Sequence, residues 1–276
     1  MCRRAIAYEN MGAMNRATRA VGGRWVLLAG FVFALCASAR AQTPSAQTAP
    51  KAPAATATPS VDQILNRYVE ATGGRAAWQK LTSRISTGTI EVPSMNLSGT
   101  LELDEKAPDR TLAVITLAGA SFRQAYDGKV GWTDDPQDGF HEQSGAELAE
   151  ARREADFYFP LDLRKHYARL DAKGKEKIGE RETYLVEGTL PEGGKPDRIY
   201  FDTQTGLPVR MISEHHVADS ASDFQEDFDD FREVDGVKLP FSIRQKTSEV
   251  EMIIKIEEVR HNVDIDDARF AKPAQE

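Results

Sequence analysis

The stretch from Tyr200 to Arg244 constrains the fold more than any other, because it reads as two consecutive β-hairpins with no helical period between them. In the first, Tyr200-Phe201-Asp202 leads through Thr203-Gln204-Thr205-Gly206 into Leu207-Pro208-Val209-Arg210. In the second, Asp227 to Val234 leads through Asp235-Gly236 into Val237 to Arg244. Asp-Gly between alternating apolar residues is a strong short-range hairpin signal. The segment therefore specifies an antiparallel meander, and it names no ligand and no reaction.

The rest of the chain reads as more of the same, with helices at two places. Ser60-Val61-Asp62-Gln63 has the form of a capping box, and Val61, Ile64, Leu65, Tyr68 and Val69 recur at helical spacing. Gly73-Gly74 ends that helix, and residues 76–81 read as a short further turn. Strands are expected over 84–92, 97–104, 110–117, 121–126 and 130–133, with 134–139 as a turn or loop. A second capping box at Ser144-Gly145-Ala146-Glu147 opens a helical interruption, broken by Pro160, with another short helix within 161–170. Strands resume over 174–181, 183–189, 198–202, 208–217, 223–234, 241–249 and 251–261, with a bulge before Phe231. About ten strands in all, at this regular spacing, suit one all-β domain over residues 60–276.

The N-terminus has a different character. Arg16, Arg19 and Arg24 precede an apolar run from Trp25 to Ala37, and Ala39-Arg40-Ala41 places small residues where a signal peptidase reads. A membrane-spanning helix needs about 20 apolar residues, so residues 1–41 are expected to be a secretory signal cleaved after Ala41, with translation starting at Met11 or Met14. Residues 42–59, rich in Pro, Ala, Thr and Ser, read as a disordered linker. Both cysteines, Cys2 and Cys36, precede the cut, so the mature chain has no disulfide or thiolate chemistry. Leu35 before Cys36 argues against lipidation. Residues 42–276 carry 29 basic and 42 acidic residues, a net charge of −13, which makes the chain a poor candidate for binding nucleic acid or anionic membrane surfaces.

This arrangement resembles the bacterial outer-membrane lipoprotein-sorting (LolA-like) superfamily of periplasmic carriers. The resemblance rests on the capped helix with its Ala-Thr-Gly-Gly end, on Asp127-Gly128-Lys129-Val130-Gly131-Trp132, on Tyr200-Phe201-Asp202 with Gly206-Leu207-Pro208, and on Asp235-Gly236-Val237-Lys238-Leu239-Pro240. It covers Ser60 to Pro273. It implies a mainly β fold: a curved, incomplete, half-open antiparallel barrel whose concave face is covered by the N-terminal helix and the helical insert. It further implies a monomeric periplasmic carrier of a lipid or an acylated lipoprotein, not integral to the membrane, with envelope proteins as further partners and with no catalysis or cofactor. Dedicated transporter-docking residues cannot be placed in this sequence. An envelope-stress sensor or interaction module is a second reading, and a secreted enzyme without a familiar motif is a third.

Leu101, Leu103, Val114, Phe122, Tyr126 and Trp132 are the expected lining of the cavity, against the alternative that they are ordinary core. No catalytic residue is expected, since no nucleophile elbow or phosphate loop is present. No metal site is expected either. His215 and His216 are adjacent and so point to opposite faces of a strand, and His141, His166 and His261 read as solvated. The acidic runs 223–231 and 134–139 lack a calcium-loop pattern.

Overall fold

A computed structural model describes residues 58–217 and 220–274, with side chains except those of 215–221. The signal region, the alternative start sites and most of the 42–59 linker lie outside the described residues, as do the side chains of His215 and His216.

Helix α1 (Val61–Ala71) begins as its capping box dictates: Gln63 N–H donates to Ser60 Oγ (3.2 Å) and Ser60 N–H donates to Gln63 Oε1 (2.9 Å). Its apolar stripe buries Ile64, Leu65 and Tyr68. Gly73 and Gly74, at φ +112° and +79°, turn the chain into the short helix α2 (Arg75–Trp78).

A single antiparallel sheet of thirteen strands follows: β1 (Ser83–Val92), β2 (Leu97–Lys106), β3 (Arg110–Leu117), β4 (Ala120–Tyr126), β5 (Gly131–Asp135), β6 (Gly139–Glu142), β7 (Arg169–Ile178), β8 (Arg181–Thr189), β9 (Asp197–Asp202), β10 (Pro208–Val217), β11 (Ser220–Val234), β12 (Val237–Lys246) and β13 (Glu251–His261). Helices α3 (Gly145–Glu154) and α4 (Phe159–Asp162) connect β6 to β7. The strand order is 6-5-4-3-2-1-13-12-11-10-9-8-7. Two meanders are thus joined where the first strand pairs with the last, and the helical insert links the two outer edges, β6 and β7.

That connection requires curvature. Helix α3 contacts both β4 and β10, which stand seven strand spacings apart in the sheet order. Flat, that distance would be about 34 Å at ~4.8 Å per strand, whereas a helix of 10 residues is about 15 Å long. The sheet therefore curls, and the face beneath the helices is concave. The sheet is not closed: β6 pairs only β5 and β7 pairs only β8 among the described residues.

Each face has its own core. On the concave face, α1 packs Ile64, Leu65 and Tyr68 against Val186, Ile199 and Phe201 of β8 and β9. Beside it, Trp78, Leu81, Phe157 and Val237 form a plug at one end. On the convex face of β1 to β6, the C-terminal segment lays Ile265 and Phe270 against Leu112, Ala125 and Trp132. Polar bonds fasten this strap: Trp132 Nε1–H donates to Phe270 O (2.9 Å), Lys106 Nζ donates to Ile265 O (2.7 Å), and Arg269 Nε donates to the buried Asp104 Oδ2 (2.6 Å).

Several expectations are corrected by this structure. Asp134 and Asp135 lie in β5, and the unforeseen edge strand β6 follows a turn at 136–138. Ser144 makes no side-chain capping bond; Glu147 instead binds His141, 3.0 Å away on β6. Residues 161–170 hold the end of α4, a 3-10 turn over Leu163–His166 and the start of β7 rather than one helix. No extra residue bulges before Phe231: Asp230 adopts φ +50° and the β11–β12 register runs through unshifted.

The two glycine motifs of the sequence meet in space. A Cβ on Gly73 would stand 2.1 Å from Gly236 O, and Lys238 N–H donates to Thr72 O (3.0 Å). The α1 terminus is therefore docked on the Asp235-Gly236 turn. Gly73→Ala should cost about 2 kcal/mol or more in urea unfolding, from left-handed strain of ~1–3 kcal/mol plus this overlap. Gly74→Ala should cost less, since its Cβ would meet only the Glu70 carboxylate at 3.5 Å. Phe270→Ala, which empties the centre of the strap, should cost roughly 3–5 kcal/mol in the same assay.

Candidate functional site

Strand register places the concave side chains of β13, β1, β2, β3 and β4 in parallel rows across the sheet. One row runs Ile256–Gly88–Leu101–Ile115–Phe122 and the next Ile254–Ile90–Gly99–Leu117–Ala120. Every side chain in both is hydrocarbon or absent, so ten positions on five strands offer no hydrogen bond to a ligand. Gly88 and Gly99 leave no room for a side chain: a Cβ would stand 2.1 Å from Lys255 O and 1.8 Å from Thr116 O of the adjacent strands.

The floor is dry, with Ile90 fully buried and Leu101, Phe241, Ile254 and Ile256 almost so. The walls are not. Ile115, Leu117 and Phe122 on one limb, and Phe228, Ile243 and Met252 on the other, are half-buried. Half-exposed apolar side chains converging on a concave surface leave a groove that water wets poorly and an apolar ligand would fill.

The chemistry changes towards the plugged end. The next row is mixed: Val259–Ser86–Leu103–Ala113–Gln124–Thr133. The row after it is polar: His261–Arg84–Glu105–Thr111–Tyr126. Arg84 donates to Glu105 through both Nε and Nη2 at 2.5 Å, and its guanidinium lies 5.8 Å from the centre of the Phe157 ring. Burial pushes the Tyr126 hydroxyl pKa up. Apolar rows thus occupy the open part of the groove, and a charged, covered row closes it.

The six expected lining residues separate by strand parity. Leu101 and Phe122 share one apolar row, Leu103 lies in the mixed row, and Tyr126 lies in the covered polar row. Val114 and Trp132 point to the convex face, where they belong to the core beneath the C-terminal strap. Ile115 and Leu117 share the inward face with Leu101 and Phe122, opposed along β3 by Leu112 and Val114. Nothing local could have identified the Arg84–Glu105–His261 row, because its members are brought together only by register.

His261 and His166 differ from the expected solvated state, whereas the His141 side chain is exposed. The side chain of His261 is 1% exposed, opposite Arg84 in the strand register and 2.9 Å from the Asp235 carboxylate. His166 is held 2.7 Å from Asp156 and stacks on Phe159. Among the described residues no group of three or more His, Cys, Asp or Glu side chains is placed to hold a metal ion. A separate cleft of about 240 Å³ lies between α3 and the loop after β8, lined by Ala146 and Leu190 together with Glu150, Arg153, Lys195 and Glu214. No histidine, cysteine, serine or threonine is among its lining residues. No described helix is long and apolar enough to cross a membrane.

No protein-family model matches the sequence, and no curated protein does. Solved structures match by shape. A DUF1329 family protein from Desulfovibrio piger is 15% identical, with a TM-score of 0.53 over 78% of this chain and 98% of that one. A LolA superfamily protein from Nitrosomonas europaea is 13% identical, with a TM-score of 0.52 over 77% of this chain and 98% of that one. The element order, the curved open sheet and its helical cover are those of the LolA-like fold, and this chain has that fold.

Proposed function

We propose that this protein is a periplasmic carrier that holds the acyl chain of a lipid or lipoprotein in the concave groove. The observation that carries the reading is the pair of adjacent rows, ten positions without a polar side chain, on a concave face whose walls stay half-exposed. Each methylene moved from water into such a groove contributes about 0.8 kcal/mol, so a long chain is retained while a short one is not. Leu101 and Phe122 contribute to the lining directly, Leu103 borders it, and Ile115 and Leu117 complete the wall. Secretion through the expected signal delivers the carrier to the compartment where such ligands need shielding from water. No catalytic step enters the reading. The half-exposed apolar face would also seat an apolar segment of an envelope protein, and competition between such a peptide and an acyl probe distinguishes the two.

Native mass spectrometry of the protein purified from periplasm should show co-purifying lipid, and N-terminal sequencing of the same sample should begin at Gln42. Delipidated protein should bind cis-parinaric acid. Phe122→Glu should weaken that binding tenfold or more, since a carboxylate in the row must be desolvated or the chain displaced. Ser121→Glu, one residue away on the exposed convex face, should leave it unchanged. Equal affinity of the two variants and the parent would remove the groove as the binding site.

A further inference from the structure

The wall of the groove formed by β11 and β12 carries an exposed cation. Asp230 and Arg232 stand two and four residues beyond Phe228 on β11, in a register that runs unshifted against β12, so both share its inward face. The side chain agrees with the register: the Arg232 guanidinium lies 4.5 Å from the centre of the Phe241 ring. Phe241 belongs to the dry floor, 7% exposed and packed with Leu101, Ile254 and Ile256. Arg232 therefore sits at the β11 end of the apolar rows, with its charge resting on the first ring of the floor.

Among the described residues, the inward positions from β11 to β4 hold one other arginine and no lysine. That other arginine, Arg84, is 14% exposed, lies against Phe157 and gives two N–H groups to Glu105. The Arg232 side chain is 55% exposed. Asp230 accepts its Nε–H at 3.1 Å and one Nη2–H at 2.5 Å. A guanidinium carries five N–H donors in a planar fork, so three remain, two on Nη1 and one on Nη2. They include the Nη1–Nη2 edge, which a carboxylate or phosphate binds through two parallel hydrogen bonds. The Asp230 carboxylate is 47% exposed, and an ion pair this wet is held weakly. Asp230 thus orients the guanidinium, and Phe241 supports its face, without using up its donors.

We infer that Arg232 binds the anionic head group of the ligand, a carboxylate or a phosphate, while the acyl chain lies along the apolar rows towards β4. This role depends on the groove being the acyl site, and it narrows the ligand class to acyl amphiphiles with a negative head. The methylenes supply affinity. The head supplies selection, because a charge-assisted hydrogen bond at the rim separates an acid from its uncharged ester. The acidity of the protein as a whole acts over distances that salt screens, whereas Arg232 acts in contact. Asp230 competes for the same cation, and its left-handed backbone (φ +50°) is one that asparagine adopts readily, so the competing charge is removable without strain.

Titration of the delipidated protein with cis-parinaric acid and with its methyl ester, at about pH 7.5 where the acid is ionised, separates head from chain. The acid should bind about tenfold more tightly than the ester, the step that a charge-assisted hydrogen bond carries. Arg232→Gln should bring the acid down to the affinity of the ester and leave the ester unchanged. Arg232→Lys should keep part of the preference, and Asp230→Asn should widen it. Palmitate and palmitoyl-lysophosphatidylglycerol are then compared as displacers of the bound acid. The stronger one, if it loses its advantage in Arg232→Gln, assigns the head as carboxylate or phosphate. Equal affinity of the parent for acid and ester, or an acid preference unchanged in Arg232→Gln, overturns the head-group role while the groove stands. Absence of binding by both probes overturns the groove and the head-group role together.

Discussion

Everything in this fold depends on the pairing of β1 with β13. Each meander is built from neighbours in sequence, joined by short turns, and needs little beyond local chemistry. The seam is different: Arg84 pairs with His261 and Ile90 with Ile254, residues separated by most of the folded chain. Closing that distance costs entropy that the pairing itself must offset, and the offset is visible. Ile90 is fully buried in one cluster with Leu101, Phe241, Ile254 and Ile256 on the concave face. Without the seam there would be two sheets, no continuous row from β13 to β4, and no groove.

Once the seam is formed, the faces of the sheet acquire different fates. The convex face of the first meander is sealed by the C-terminal strap, whose apolar anchors Ile265 and Phe270 leave none of its core for a ligand. The concave face is covered by helices at one end only. The open rows there carry hydrocarbon, and the covered row carries the ion pair and the histidine. This separation follows from what a helix can seal. Beneath Phe157 a guanidinium can be buried if its carboxylate is buried with it, whereas the half-buried aliphatic walls retain contact with water.

Local signals translated into structure with little loss. Asp235-Gly236 takes positive φ at both residues, +51° and +83°, as a tight hairpin turn of that composition must. The Ser60 cap and the Gly73-Gly74 stop bound α1 as read. Failures arose where a signal had a tertiary competitor: Glu147 of the second capping box is taken by His141, and the edge strand β6 exists because β5 offers it a partner. The candidate lining was legible only in part. Alternation shows that Val114 and Ile115 face opposite ways, but no single strand reveals which way is inward.

The sequence by itself determined the elements: where strands turn, where α1 starts and stops, and that alternation along each strand presents two distinct faces. These depend on backbone freedom and on contacts within a few residues, which neighbouring side chains specify. Only the tertiary structure decided that the first strand meets the last, that the strap takes one face and leaves the other open, and that Gly73 comes to rest on Gly236 and His261 on Asp235. Those outcomes depend on curvature and register summed over thirteen strands. A one-residue slip in register would exchange the two faces without altering any local pattern.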